Sequence, residues 1–171
     1  MIQSDMRAAL HKWSKLTSVE WDVGCCLHIP EQMRLNERTW DQYGLSKIIC
    51  RYFNRIDRCL FKSAVKRHNK RMQRFVVAEY ADAVGWHCHF IAKSPQHLTT
   101  EKLETSLRTQ WERITNVSFP SNIQAQLFWS EPLAGNYQAY CTKRAFRADD
   151  DPFDGRGTQV TSIIDWRNTV L

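Results

Sequence analysis

The spacing of apolar residues changes along the chain, and each change marks an element. Val19 to Ile29 (VEWDVGCCLHI) reads as a strand that Pro30 stops. Leu45 to Arg67 carries Leu45, Ile48, Ile49, Tyr52, Phe53, Ile56, Leu60 and Val65, and these steps of three and four predict an amphipathic helix. Two short runs follow: Arg74 to Tyr80 (RFVVAEY) and Trp86 to Ala92 (WHCHFIA). They read as strands of a hairpin whose connection contains Gly85. Thr99 or Thr100 can cap a second helix that continues through Leu103, Leu107 and Trp111 to about Ile114. Ile123 to Trp129 (IQAQLFW) alternates as a strand does, and Leu133 to Phe146 reads as a helix. Thr158 to Trp166 is a last strand or a tail, Met1 to Lys15 a short helix, and Glu31 to Tyr43 and Asp149 to Gly157 are polar connections. Strands that alternate with helices and include a hairpin predict an α+β fold. The expected architecture is a central antiparallel sheet of about five strands, ferredoxin- or RRM-like, with flanking helices, and residues 1–171 form one domain.

Composition narrows the class. Hydrophobic residues make up 43% and charged residues 25%, with seven tryptophans, which is globular and excludes a disordered chain. No apolar run approaches the roughly 18 to 20 residues that span a bilayer, and no membrane partner is expected. None of the six cysteines forms a C-x-x-C pair, which argues against a zinc knuckle and for reduced thiols in a cytoplasm or a nucleus. The net charge of +6 favours a polyanionic partner. The positive charge is concentrated at Lys62, Lys66, Arg67, Lys70, Arg71 and Arg74, with no acid among them. The run suits a DNA backbone, and it equally suits the solvated end of a helix.

Candidate chemistry begins at His87-Cys88-His89. In a strand, residues i and i+2 share a face, so both imidazoles can reach one ion while Cys88 turns toward the core. If the hairpin turns symmetrically about Ala83, Glu79 sits opposite His87 on that face. Two nitrogens and a carboxylate suit a divalent ion such as Mg²⁺ or Mn²⁺, with positions left open for phosphate oxygens. Asp82 is a competing carboxylate in the turn, and His11, His28, His68 and His97 read as incidental.

A second candidate is Tyr140-Cys141-Thr142-Lys143 on the helix after Trp129. Residues three apart are neighbours on a helix, so Lys143 lies near the Tyr140 hydroxyl. A phenol with a reference pKa of about 10 is roughly 0.1% ionised at pH 7, and a metal or an ammonium group nearby raises that fraction. Tyr137 shares the helix but has no cation at that spacing.

Together, GWHCHFIA (Gly85 to Ala92) followed by YCTK (Tyr140 to Lys143) resembles the HUH endonucleases, specifically Rep-type initiators of rolling-circle replication with one tyrosine. CCLHI (Cys25 to Ile29) corresponds to the family's early-strand motif only poorly and carries no transferred function. The resemblance implies that Glu79, His87 and His89 bind the metal and that Tyr140 is the nucleophile, with Lys143 as its helper. It implies a substrate of single-stranded or hairpin DNA at a replication origin or element end. The six glycines form no G-x-x-x-x-G-K-[ST] loop, so a helicase domain is not expected here, and strand separation falls to a partner helicase or to DNA already extruded. An HUH transposase, a single-strand-binding module without catalysis, and a phosphoesterase that uses water remain as alternatives.

Overall fold

In a computed structural model, residues 21–30, 42–81, 85–116, 128–132 and 162–163 are described. The elements among them are β1 (Val23–His28), α1 (Gln42–Phe61), α2 (Ala64–His68), β2 (Arg74–Ala81), β3 (Gly85–Ala92), α3 (Thr100–Thr115), β4 (Phe128–Pro132) and β5 (Ser162–Ile163). The strands form one five-stranded sheet in the order β4-β1-β3-β2-β5, with every neighbouring pair antiparallel. Strands β1 and β2 are joined through helices and flank β3, while β3 and β4 are joined through α3 and flank β1. This interleaving of two split β-α-β units is the ferredoxin-like arrangement, and the α+β class expected from the sequence is what the chain adopts.

Helices α1 and α3 cover one sheet face because their apolar stripes meet the alternate residues of the strands. Val23, Cys25, Leu27, Val76, Ala78, Cys88, Phe90 and Ala92 form one cluster with Leu45, Ile49, Tyr52, Phe53 and Ile56 of α1 and Leu103, Leu107 and Trp111 of α3. Edge-on ring contacts tie the layers together, with Phe53 to Phe90 at 5.1 Å and Tyr52 to Trp111 at 5.4 Å between centroids. The Tyr52 hydroxyl donates to the Leu107 carbonyl at 3.0 Å, which satisfies a buried polar group between the helices. Burial pushes the Tyr52 phenol well above its ordinary value of 10.0; the nearby Cys25 and Cys88 add to the rise and Arg74 opposes it.

The long helix expected from Leu45 to Arg67 is two helices. Lys62 adopts a left-handed φ of 49°, and its N–H reaches the Arg58 carbonyl at 3.0 Å, an αL cap that ends α1. A single further turn, α2, ends in the same way at Asn69, φ 49°. Apolar spacing missed this break because Val65 stays on the buried side after it. Helix α3 starts where expected: the Thr99 side chain accepts from the Lys102 N–H at 3.4 Å.

Arg74, expected on the DNA-binding surface, is 2% exposed. Its Nη1 donates to Asp57 Oδ1 at 2.9 Å and Oδ2 at 3.1 Å, and its guanidinium lies over Phe53 at 4.4 Å. The residue is even-numbered on β2 and so points to the helix side with Val76 and Ala78. Arg74 therefore joins β2 to α1 rather than meeting a nucleic-acid backbone.

Candidate metal and nucleic-acid site

The opposite face carries the candidate chemistry. On β1 it presents Gly24, Cys26 and His28, on β3 His87, His89 and Ile91, and on β2 Phe75, Val77 and position 79. Much of this face is also buried: Phe75, Val77 and Ile91 are 0% exposed and His87 and His89 are buried, while His28 is half-buried. The expected orientation of the motif holds, since Cys88 lies in the helix-side core between the two histidines that point the other way.

Register settles the hairpin. Glu79 pairs with His87, Tyr80 with Trp86 and Ala81 with Gly85, which is the symmetry about Ala83 expected from the sequence. Gly85 enters β3 at φ 70°, a left-handed conformation in which a Cβ would clash. That conformation matters to the site, because the Gly85 carbonyl lies 2.9 Å from His87 Nδ1. A carbonyl oxygen only accepts, so Nδ1 carries the proton and Nε2 of a neutral ring keeps its lone pair. Metal-binding imidazoles commonly show this arrangement, with the far nitrogen anchored and the near one presented.

The His87 and His89 rings stand 5.0 Å apart between centroids at 81°. Among the described residues no three His, Cys, Asp or Glu side chains converge as a ready-made metal site. The donor chemistry present is therefore a pair of buried imidazoles, one with its tautomer set, and it suits a borderline divalent ion.

The structure also brings in a residue that the sequence left aside. His28, at the end of β1, pairs in register with His87, and the two rings stack at 5.2 Å and 6°. Cys26 Sγ lies 3.2 Å from His28 Nε2, and Cys26 pairs with His89 in the next row. The only sequence signal was the alternation Cys26-Leu27-His28; the pairing of β1 with β3 across 60 residues is invisible to local periodicity.

The basic run divides. Lys62, Lys66, Arg67 and Lys70 are exposed. Arg71 is held by Asp57 at 3.5 Å and by the Val65 and Lys70 carbonyls. These residues precede the Arg74 end of β2, whereas position 79 lies five residues along that strand, roughly 17 Å away. The structure thus does not gather them around the histidines. Trp86 lies on the helix side and packs against the core cluster. Tyr140 and Lys143 lie outside the described residues. Among the described residues no helix is long and apolar enough to cross a membrane.

No family model and no curated protein matches the chain. Among solved structures, the chain is similar to the N-terminal nuclease domain of non-structural protein 1 of minute virus of mice. The TM-score is 0.45 and the identity 14%, over 95% of this chain and 92% of that one. That domain is described as having a unique Zn²⁺ coordination in its active-site pocket and a novel mode of DNA recognition at the origin of replication. A likeness of shape at this level assigns no activity to the present chain.

Proposed function

We propose that this chain is a metal-dependent endonuclease that nicks and rejoins single-stranded DNA through a tyrosine, in the manner of a rolling-circle replication initiator. The observation that carries the proposal is the His87–His89 pair on the central strand of the sheet, buried on one face with Glu79 in register. The resemblance of GWHCHFIA and YCTK to the HUH pattern supplies the rest.

His87 and His89 would hold a divalent cation, Mg²⁺ or Mn²⁺, with Glu79 as the acidic ligand. The chemistry such a cation would supply, when bound, is Lewis-acid polarisation of the scissile phosphate. The Tyr140 oxygen attacks the phosphorus, so that a tyrosine O–P bond forms as the P–O3′ bond breaks. The phenolic proton leaves to solvent, and the released 3′ oxygen takes one up as a hydroxyl. The product is a 5′-phosphotyrosine link, which conserves the phosphodiester and allows the 3′-hydroxyl to reverse the step without ATP. Lys143, three residues after Tyr140 in the sequence, would stabilise the phenolate or the phosphate charge. The exposed Lys62, Lys66, Arg67 and Lys70 would follow the DNA backbone away from the cleavage point. The substrate would be single-stranded or hairpin DNA at an origin or element end, with a separate helicase supplying unwinding.

The test uses the whole chain with end-labelled single-stranded oligonucleotides and Mn²⁺. The expected result is a covalent protein–DNA adduct that is lost in Tyr140→Phe and in His87→Ala. Cleavage without an adduct would indicate a phosphoesterase that uses water, and binding without cleavage would indicate a non-catalytic module.

A further inference from the structure

We infer that His28 is a positioning residue for the His87 imidazole, holding its Nε2 in the orientation a metal requires. The inference rests on the proposal that His87 and His89 bind the metal. The hydrogen bond from Nδ1 to the Gly85 carbonyl at 2.9 Å sets the tautomer of His87, and it fixes one ring atom rather than the plane of the ring. A flat surface against the ring restrains its plane, and His28 provides one: the two rings are within 6° of parallel, with centroids 5.2 Å apart. His28 is itself restrained. Its Nε2 lies 3.2 Å from Cys26 Sγ, and β1 is anchored on its other face by Val23, Cys25 and Leu27, each 0% exposed. Backbone pairing of His28 with His87 sets the stack in place.

The same geometry separates positioning from ligation. His28 Nε2 is directed at Cys26 Sγ, and it is the face of the His28 ring that lies against His87. His28 therefore acts through the face of its ring and not through a lone pair. Its aromatic surface should be replaceable, whereas a ligand's nitrogen would not be.

The experiment measures Co²⁺ and Zn²⁺ binding to the metal-free full chain by competition with a chromophoric chelator. The variants are His28→Ala, His28→Phe and His87→Ala. Loss of an outer group that orients a metal-bound histidine typically weakens affinity about 10- to 100-fold, so His28→Ala should fall in that range and His28→Phe should stay near the parent. A metal-free readout accompanies it: imidazole ¹⁵N relaxation should show the His87 ring rigid in the parent and in His28→Phe, and more mobile in His28→Ala, with the Nδ1–H tautomer kept in all three. His28→Gln serves as the non-aromatic variant if the alanine form does not fold. Unchanged affinity in His28→Ala overturns the inference, and so does a His28→Phe protein as weak as His28→Ala, which would make the nitrogen a ligand. Unchanged affinity in His87→Ala overturns the metal assignment itself, a failure distinct from the other two.

Discussion

Replacing Asp57 with alanine should strongly destabilise the packing of the helix layer on the sheet. Asp57 is 0% exposed, and its two oxygens accept from Arg74 at 2.9 and 3.1 Å and from the Met72 N–H at 3.0 Å. Deleting the carboxylate leaves the Arg74 guanidinium, 2% exposed, without its counter-ion, and removes the acceptor of a buried backbone N–H. Stranding one member of a buried ion pair costs about 3–5 kcal/mol, a large part of a typical stability of about 5–15 kcal/mol. For a chain of this length that corresponds to a melting temperature lower by about 6–20 °C. The contact of Arg74 with Phe53 at 4.4 Å compensates for only a fraction, since such contacts contribute about 0.5–2 kcal/mol and are present before the mutation as well. Replacing both partners, Asp57→Leu with Arg74→Met, removes both charges together and should cost far less than the sum of the single changes. Urea unfolding followed by tryptophan fluorescence measures all three proteins. An Asp57→Ala loss below about 1 kcal/mol, or single and double changes that simply add, would refute the claim that this pair bridges β2 to α1.

Two other consequences are open to direct measurement. If the exposed lysines and arginine contact DNA, Lys66→Ala with Arg67→Ala should reduce the salt slope of single-strand binding by about 0.7 per charge removed, while the paired change Asp57→Leu with Arg74→Met leaves the slope unchanged. Because the folded-state pKa of Tyr52 is raised, its protonated form is favoured by folding: that contribution is fully present below the unfolded value of 10.0 and is lost as pH rises from there through the folded pKa. Denaturant midpoints measured from pH 8 to 11 should therefore fall more steeply above pH 10 than those of Tyr52→Phe, and parallel profiles would contradict this.

What the sequence revealed followed from the range of each signal. Apolar spacing reports one element at a time, and it located α1, α3 and the β2–β3 hairpin, with Leu45, Ile48, Ile49, Tyr52, Phe53, Ile56 and Leu60 all buried as expected. The two-residue period of a strand was enough to orient His87, Cys88 and His89, and hairpin symmetry was enough to place Glu79 opposite His87. Helix ends are weaker signals: Lys62 takes an αL cap without glycine, and nothing in its neighbours announces it. Charge along the chain says nothing of direction, so Arg74 looked like its exposed neighbours although strand alternation turns it toward Asp57. His28 was missed for a different reason. Its significance depends on β1 pairing with β3, a contact made across the whole of α1 and the hairpin. The strand expected from Ile123 to Trp129 overlaps β4 only at Phe128 and Trp129, with residues before it outside the described set, as is the helix from Leu133 to Phe146.

The central claim is that a metal held by His87 and His89 allows Tyr140 to become covalently joined to DNA. The most direct measurement is to digest the protein after reaction with a single-stranded oligonucleotide and Mn²⁺, trim the DNA with nuclease, and locate the nucleotide-modified residue by mass spectrometry. The account predicts a phosphonucleotide mass on Tyr140, absent when the metal is chelated and absent in His87→Ala. Modification of Tyr137 or another residue, or an adduct that forms equally well without metal, would contradict it.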